Sequence, residues 1–144
     1  MTSSNAAGTV RAERYLSRVR MLESDISLKL SHLGCLHARM PRGIQENTGH
    51  SNIPSDSTGE RAVRIQELQE EIEALRRQLD RARREVKHTV SLLPDPRRRC
   101  MLEMRYLSHL TWEEISEGLC ISPRAALRLH KRALETINIL LSEQ

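Results

Sequence analysis

The chain has no Phe, two Tyr and one Trp among 144 residues. So few aromatics argue against a large aromatic core, and with it against sandwiches, barrels and big α/β enzymes. Six Gly and five Pro are too few for a collagen-like or fully disordered chain. Three cysteines, Cys35, Cys100 and Cys120, are odd in number and irregularly spaced, so no disulfide framework is expected. The opening MTSSNAAGTVRAERY lacks the apolar core of a signal peptide. No apolar run approaches the roughly 18–20 residues of a membrane span. A reducing cytoplasm and no membrane contact are the expectation.

Charge is plentiful. Charged residues make up 29% and apolar ones 38%, a mix that favours long exposed helices over one large globule. Net charge is only +4, which permits nucleic-acid binding without requiring it. Lysine is confined to Lys29, Lys87 and Lys131, and Arg supplies the other cations. The planar guanidinium suits phosphate and guanine, although a codon bias toward Arg gives the same excess.

The pattern divides the chain into five stretches. Residues 1–8 read as a disordered tail. Residues 9–38 read as a helix, with Tyr15, Val19, Leu22, Ile26 and Leu33 at three-four spacing, and Leu16 and Leu30 widening the stripe. Residues 39–57 have no period and hold Pro41, Gly43, Gly49 and Pro54, so they form a polar loop. Ser57–Glu60 can act as a capping box for a helix over 58–93. Its stripe is Ile65, Leu68, Ile72, Leu75, Leu79, Ala82, Val86, Thr89 and Leu93. A narrow apolar seam with charged flanks is a coiled-coil pattern and needs a partner helix. Two partners are open: the first helix, folded back as an antiparallel hairpin, or a second copy, giving a homodimer through this stem.

Leu93-Pro94-Asp95-Pro96 ends the stem, because two prolines remove donors and bias the preceding residues away from helix. Residues 94–144 therefore read as a separate unit of three helices. The first spans 96–108, with Cys100, Met101, Met104 and Leu107 inward. The second opens at the capping box Thr111–Glu114. The third is capped by Ser122, with Pro123 in its first turn. Ile115, Ser116, Leu119, Ile121, Ala126 and Leu129 supply small and apolar residues where two steeply crossed helices would touch, the packing code of a helix-turn-helix.

On the last helix Arg124, Arg128, Lys131 and Glu135 share a sector of about 60°. Arg124, in the first turn, can fork onto guanine O6 and N7. Arg128, Lys131 and Arg132 suit phosphate, and the free amides of the helix start suit it as well. The plain alternative is a solvated cationic face. His32, Cys35, His37 and His50 lie close in sequence, but a single thiol with surface histidines does not make a metal site. No cofactor, metal or catalytic constellation is expected.

The stretch from Leu93 to Leu134 resembles region 4 of sigma-70-type factors, through Leu93, Pro94, Tyr106, Leu107, Glu114, Ile115, Ile121, Ser122, Arg132 and Ala133. The whole chain is similar to small phage-encoded proteins grouped with late-gene transcription regulators. Cys120 stands where the pattern has Gly, Ser116 where it has Ala, and Ala125 where it has Thr. The resemblance implies an all-α fold, a helical hairpin or coiled-coil stem followed by a small C-terminal helix-turn-helix domain. It implies a sequence-specific regulator that meets double-stranded DNA through Ser122, Arg124, Ala125, Arg128, Lys131 and Arg132. RNA polymerase is the implied protein partner. The rival expectation is a coiled-coil interaction protein that binds polymerase or another phage component, with the tail as a structural cap.

Overall fold

Helix is the only regular structure in the computed structural model, which describes residues 2–39 and 55–144. The elements are α1 (Thr2–Ala38), α2 (Ser55–Ser91), α3 (Pro96–Leu102), α4 (Trp112–Leu119) and α5 (Pro123–Ser142). Among the described residues, no helix is long and apolar enough to cross a membrane.

The heptad seam of α2 is buried at Ile65, Leu68, Ile72, Leu79, Ala82 and Val86. Its partner is α1 of the same chain, through Ala12, Leu16, Val19 and Ile26. Cross-contacts set the direction: Tyr15 Oη lies 2.9 Å from Thr89 Oγ1, Arg18 donates to Glu85 at 2.9 Å, and Lys29 donates to Glu71 at 2.7 Å. Low numbers on α1 meet high numbers on α2, so the two run antiparallel. Burying one Leu contributes about 1.5–3 kcal/mol, whereas exposed ion pairs are screened by water. The seam therefore drives the pairing and the charges set its register. Thr89 is the polar residue in the seam, only 1% exposed, and the Tyr15 hydroxyl satisfies it.

Several expectations need correcting here. The first helix starts at Thr2, so residues 2–8 are helical rather than a tail. This first stretch lies along α5, and Gly8 sits so close that an added Cβ would meet the Asn138 amide. α2 begins at Ser55, which puts Ser57–Glu60 inside its first turns instead of at a cap. Arg39 is a turn, and the rest of the loop up to residue 54 lies outside the described residues.

The stem ends as its prolines dictate. Asp95 caps α3 by accepting from the Arg97 amide at 2.9 Å, and Pro96 opens the helix. α3 does not run as a plain helix to residue 108. After Leu102 it widens into one π turn, Glu103–Leu107, closed by the Ser108 amide donating to the Glu103 carbonyl at 3.0 Å. That turn shifts the phase of the inward face. Leu102 and Tyr106 are buried, while Cys100, expected inward, is exposed.

Residues 94–144 share one core with the stem. Met101, Leu102, Tyr106, Ile115, Ala133, Leu134 and Ile137 join Ala12, Leu16, Val19, Val86, Val90 and Leu93 in a single cluster. The prolines change the helix direction without breaking the core. The widened stripe at Leu16 has a use beyond the seam, because α1 packs along α5 as well as α2.

α4 starts with both halves of the Thr111–Glu114 capping box formed. It ends at Cys120, whose φ of 55° and ψ of 44° are left-handed. The Cys120 amide donates to Glu117 and the Ile121 amide to Ser116, at 3.1 and 3.0 Å. The bond pattern is that of a left-handed helix stop, which usually takes Gly. Here a Cβ holds the position at a cost of roughly 1–2 kcal/mol. Glycine loses about 0.5–1 kcal/mol more chain entropy on folding, so Cys120→Gly should stabilise the fold by about 0.5–1 kcal/mol. Urea denaturation of both proteins checks this; a less stable glycine variant would contradict it.

Candidate nucleic-acid interface

The side chain of Ser122 caps α5, its Oγ accepting from the Ala125 amide at 3.2 Å. Pro123 fills the first helical position and has no amide to leave unpaired. One face of the helix is buried at Ala126, Ala133, Leu134 and Ile137. The other carries Arg124, Arg128, Lys131 and Arg132, all exposed. The remaining two expected site residues lie beside them: Ser122 is exposed and Ala125 half-buried. Ala125, Arg128, Leu129 and Arg132 line a shallow groove of about 220 Å³. Glu135, on the same side, is half-buried one turn on.

The cations of α5 differ from most arginines of the preceding segment. Arg97 donates to the Leu119 carbonyl at 3.4 Å, Arg99 to Leu93 at 2.6 Å, and Arg105 to Leu110 at 3.0 Å. Arg98 pairs with Asp95. Those guanidiniums close helix ends and turns. Among the described residues, no hydrogen bond or ion pair engages the charged groups of Arg124, Arg128, Lys131 or Arg132. Four free cations on one exposed helix side can meet an anionic surface without first breaking an internal bond.

The rotational setting of that face depends on aromatic packing behind it. His130 Nε2 and Tyr106 Oη are 2.7 Å apart, and their rings stack with centroids at 5.8 Å. Trp112 meets His130 edge-on at 4.7 Å, and the Arg105 guanidinium covers the Trp112 ring at 4.7 Å. Burial, helped by the nearby Arg105 charge, pushes the His130 imidazole down to about 4. Burial also raises the Tyr106 hydroxyl, reinforced by Glu13. Both groups stay neutral at physiological pH, and one hydrogen bond ties α5 to the π turn.

Two features were not legible in sequence. A cleft of about 380 Å³ lies between α1 and the tail, lined by residues that include Glu13, Arg20, Arg105, Trp112 and Leu127. Beside it Glu23 of α1 meets Arg83 of α2 and His109 of the tail. Neither has a local signal, because each joins residues from three or more separate segments. His32 and Cys35 are exposed, and no group of three or more His, Cys, Asp or Glu among the described residues could hold a metal ion. His50 lies outside the described residues.

No protein-family model, curated protein or solved structure matches the chain.

The histidine gives a pH dependence of stability. Unfolded, it titrates near 6.5; folded, near 4. Its contribution is complete above pH 6.5 and is lost as pH falls toward 4, because the unfolded state takes up the proton first. Urea midpoints measured from pH 7.5 to 4 should fall more steeply for the native chain than for His130→Gln. Parallel curves would refute the assignment.

Proposed function

We propose that the chain is a DNA-binding transcription regulator of phage or prophage type. In it, α1 and α2 form a hairpin stem, and α4 and α5 act as a helix-turn-helix whose second helix enters the major groove. One observation carries this: four free, exposed cations line the outer side of a helix that starts at a short turn and is locked by packing on its inner side. The resemblance of residues 93–134 to region 4 of sigma-70-type factors supports it. So does the start of α5, whose positive dipole end favours a phosphate.

The roles divide by position. Arg124 sits in the first turn, where a fork onto guanine is reached. Arg128, Lys131 and Arg132, further along, hold the backbone, while Ser122 fixes the helix start and Ala125 offers a small apolar contact. No chemistry is performed; the protein acts by occupying a site and presenting its stem, in a cytoplasm, to RNA polymerase.

A second function has its own support. Val10, Met21 and Leu28 are exposed along the outer side of α1, with Leu28 at 67%. Exposed apolar side chains there suit a coiled-coil interaction protein that binds polymerase or another phage component and uses the tail as a cap.

Binding to duplex DNA separates the two. The full chain is needed, because α1 completes the core under α5. With Arg128, Lys131 and Arg132 on phosphate, α5 should contribute about −2.7 to the slope of log affinity against log salt. Arg124→Gln should cost about 1–3 kcal/mol on the preferred site and relax base preference. Lys131→Gln should weaken all duplexes alike. A slope near zero on random duplex would leave only the interaction protein.

A further inference from the structure

The fold-back sorts charge along the stem in a way the linear sequence conceals. Antiparallel pairing sets residues 9–25 beside residues 76–92, as the Tyr15–Thr89 and Arg18–Glu85 contacts show. These two stretches hold ten Arg and Lys against five Asp and Glu. The other half of the stem, residues 26–39 and 58–75, holds four against five. The cationic half is the one next to the tail.

Part of this charge has internal work. Arg18 pairs with Glu85, Arg76 with Glu73, and Arg83 with Glu23. Arg77, Arg81 and Arg84 have none. All three are exposed, and no ion pair or side-chain hydrogen bond among the described residues engages them. At 100° per residue they fall within a sector of about 60° on the side of α2 opposite its seam, and they span about 10 Å along the axis. Toward the loop the sector continues with Glu70, so the stripe stops there. Toward the tail it continues with exposed His88.

A heptad helix needs polar residues on its outer side, but it does not need them to be of one sign. Like charges at i, i+4 and i+7 cost helix stability by a few tenths of a kcal/mol per pair. Glu73, Asp80 and Glu85 lie three or four positions from one or another of these arginines, yet none pairs with them, so three guanidiniums stay free to meet a partner. Guanidiniums at successive helix turns match a chain of regularly spaced phosphates, and Arg is the cation suited to each.

We infer that Arg77, Arg81 and Arg84 of the stem are a second nucleic-acid contact, a sequence-independent clamp on the phosphate backbone of duplex DNA. It deepens the DNA-binding function proposed above and rests on it for the duplex as ligand. The clamp adds affinity and salt dependence, and leaves base preference to α5.

The test uses the full chain and a mixed-sequence duplex of 30 base pairs, titrated at several salt concentrations. Arg77→Gln/Arg81→Gln/Arg84→Gln should make the log–log slope shallower by about 2.7. Helix propensity is kept, since Gln is close to Arg, so circular dichroism and thermal unfolding should match the native chain. The base preference of a selected site should be unchanged. A slope equal to the native one, in a folded variant, overturns the clamp while leaving α5 untouched. Loss of the triple variant's slope alongside an intact base preference in Arg124→Gln/Arg128→Gln keeps the clamp and removes α5 as the reader. Native protein that holds polyglutamate but shows no triple-variant effect on duplex would assign the stripe to an acidic protein surface and overturn the clamp.

Discussion

The apolar residues of α1 are buried against two neighbours at once, and water is a poor substitute for either. Ala12, Leu16, Val19 and Ile26 lie on one side of the helix and close the seam of α2. The same residues belong to one core with the tail, along which α1 also packs. Every other placement follows from this double burial. The stem runs antiparallel because α2 must be covered along its seam. α5 cannot swing freely on the proline linker because Ala133, Leu134 and Ile137 are part of the same core. At about 1.5–3 kcal/mol for each large side chain removed from water, a handful of such contacts outweighs the screened ion pairs around them.

This shared core has a functional consequence. For α5 to read DNA as proposed it needs a fixed rotation, since a change of one residue in phase moves its outward side by 100°. Here the setting is held twice, by apolar contact with α1 and by the neutral Tyr106–His130 bond behind it. The cations Arg124, Arg128, Lys131 and Arg132 can then remain free, because none is needed to hold the fold.

Much of the architecture could be read from residues alone. The seam of α2, the stop at Pro94–Pro96, the Thr111–Glu114 box and the Ser122–Pro123 start are local patterns, and each is governed by neighbours within a few positions. The misplacements are of another kind. Residues 2–8 lack a strong helical signal of their own yet continue α1, with Gly8 against Asn138 of α5. Cys100, expected inward, is exposed because the buried side of α3 is set by Met101 and Leu102, and the π turn that follows brings Tyr106 onto that side. Cys120 takes the left-handed position although it is not glycine, because the packing of α4 on α5 requires the turn there.

By itself the sequence determined the helices, their apolar sides and the cationic face of α5, since these depend on period and on short-range caps. It could not decide which helix covers which, because an apolar stripe is satisfied by any complementary partner. Tertiary structure made that choice: it closed α1 over both α2 and the tail, merged two expected units into one core, and gathered the positive charge of two distant segments at one end of the stem. A linear count spreads those charges out, while the antiparallel pairing of buried side chains brings them together.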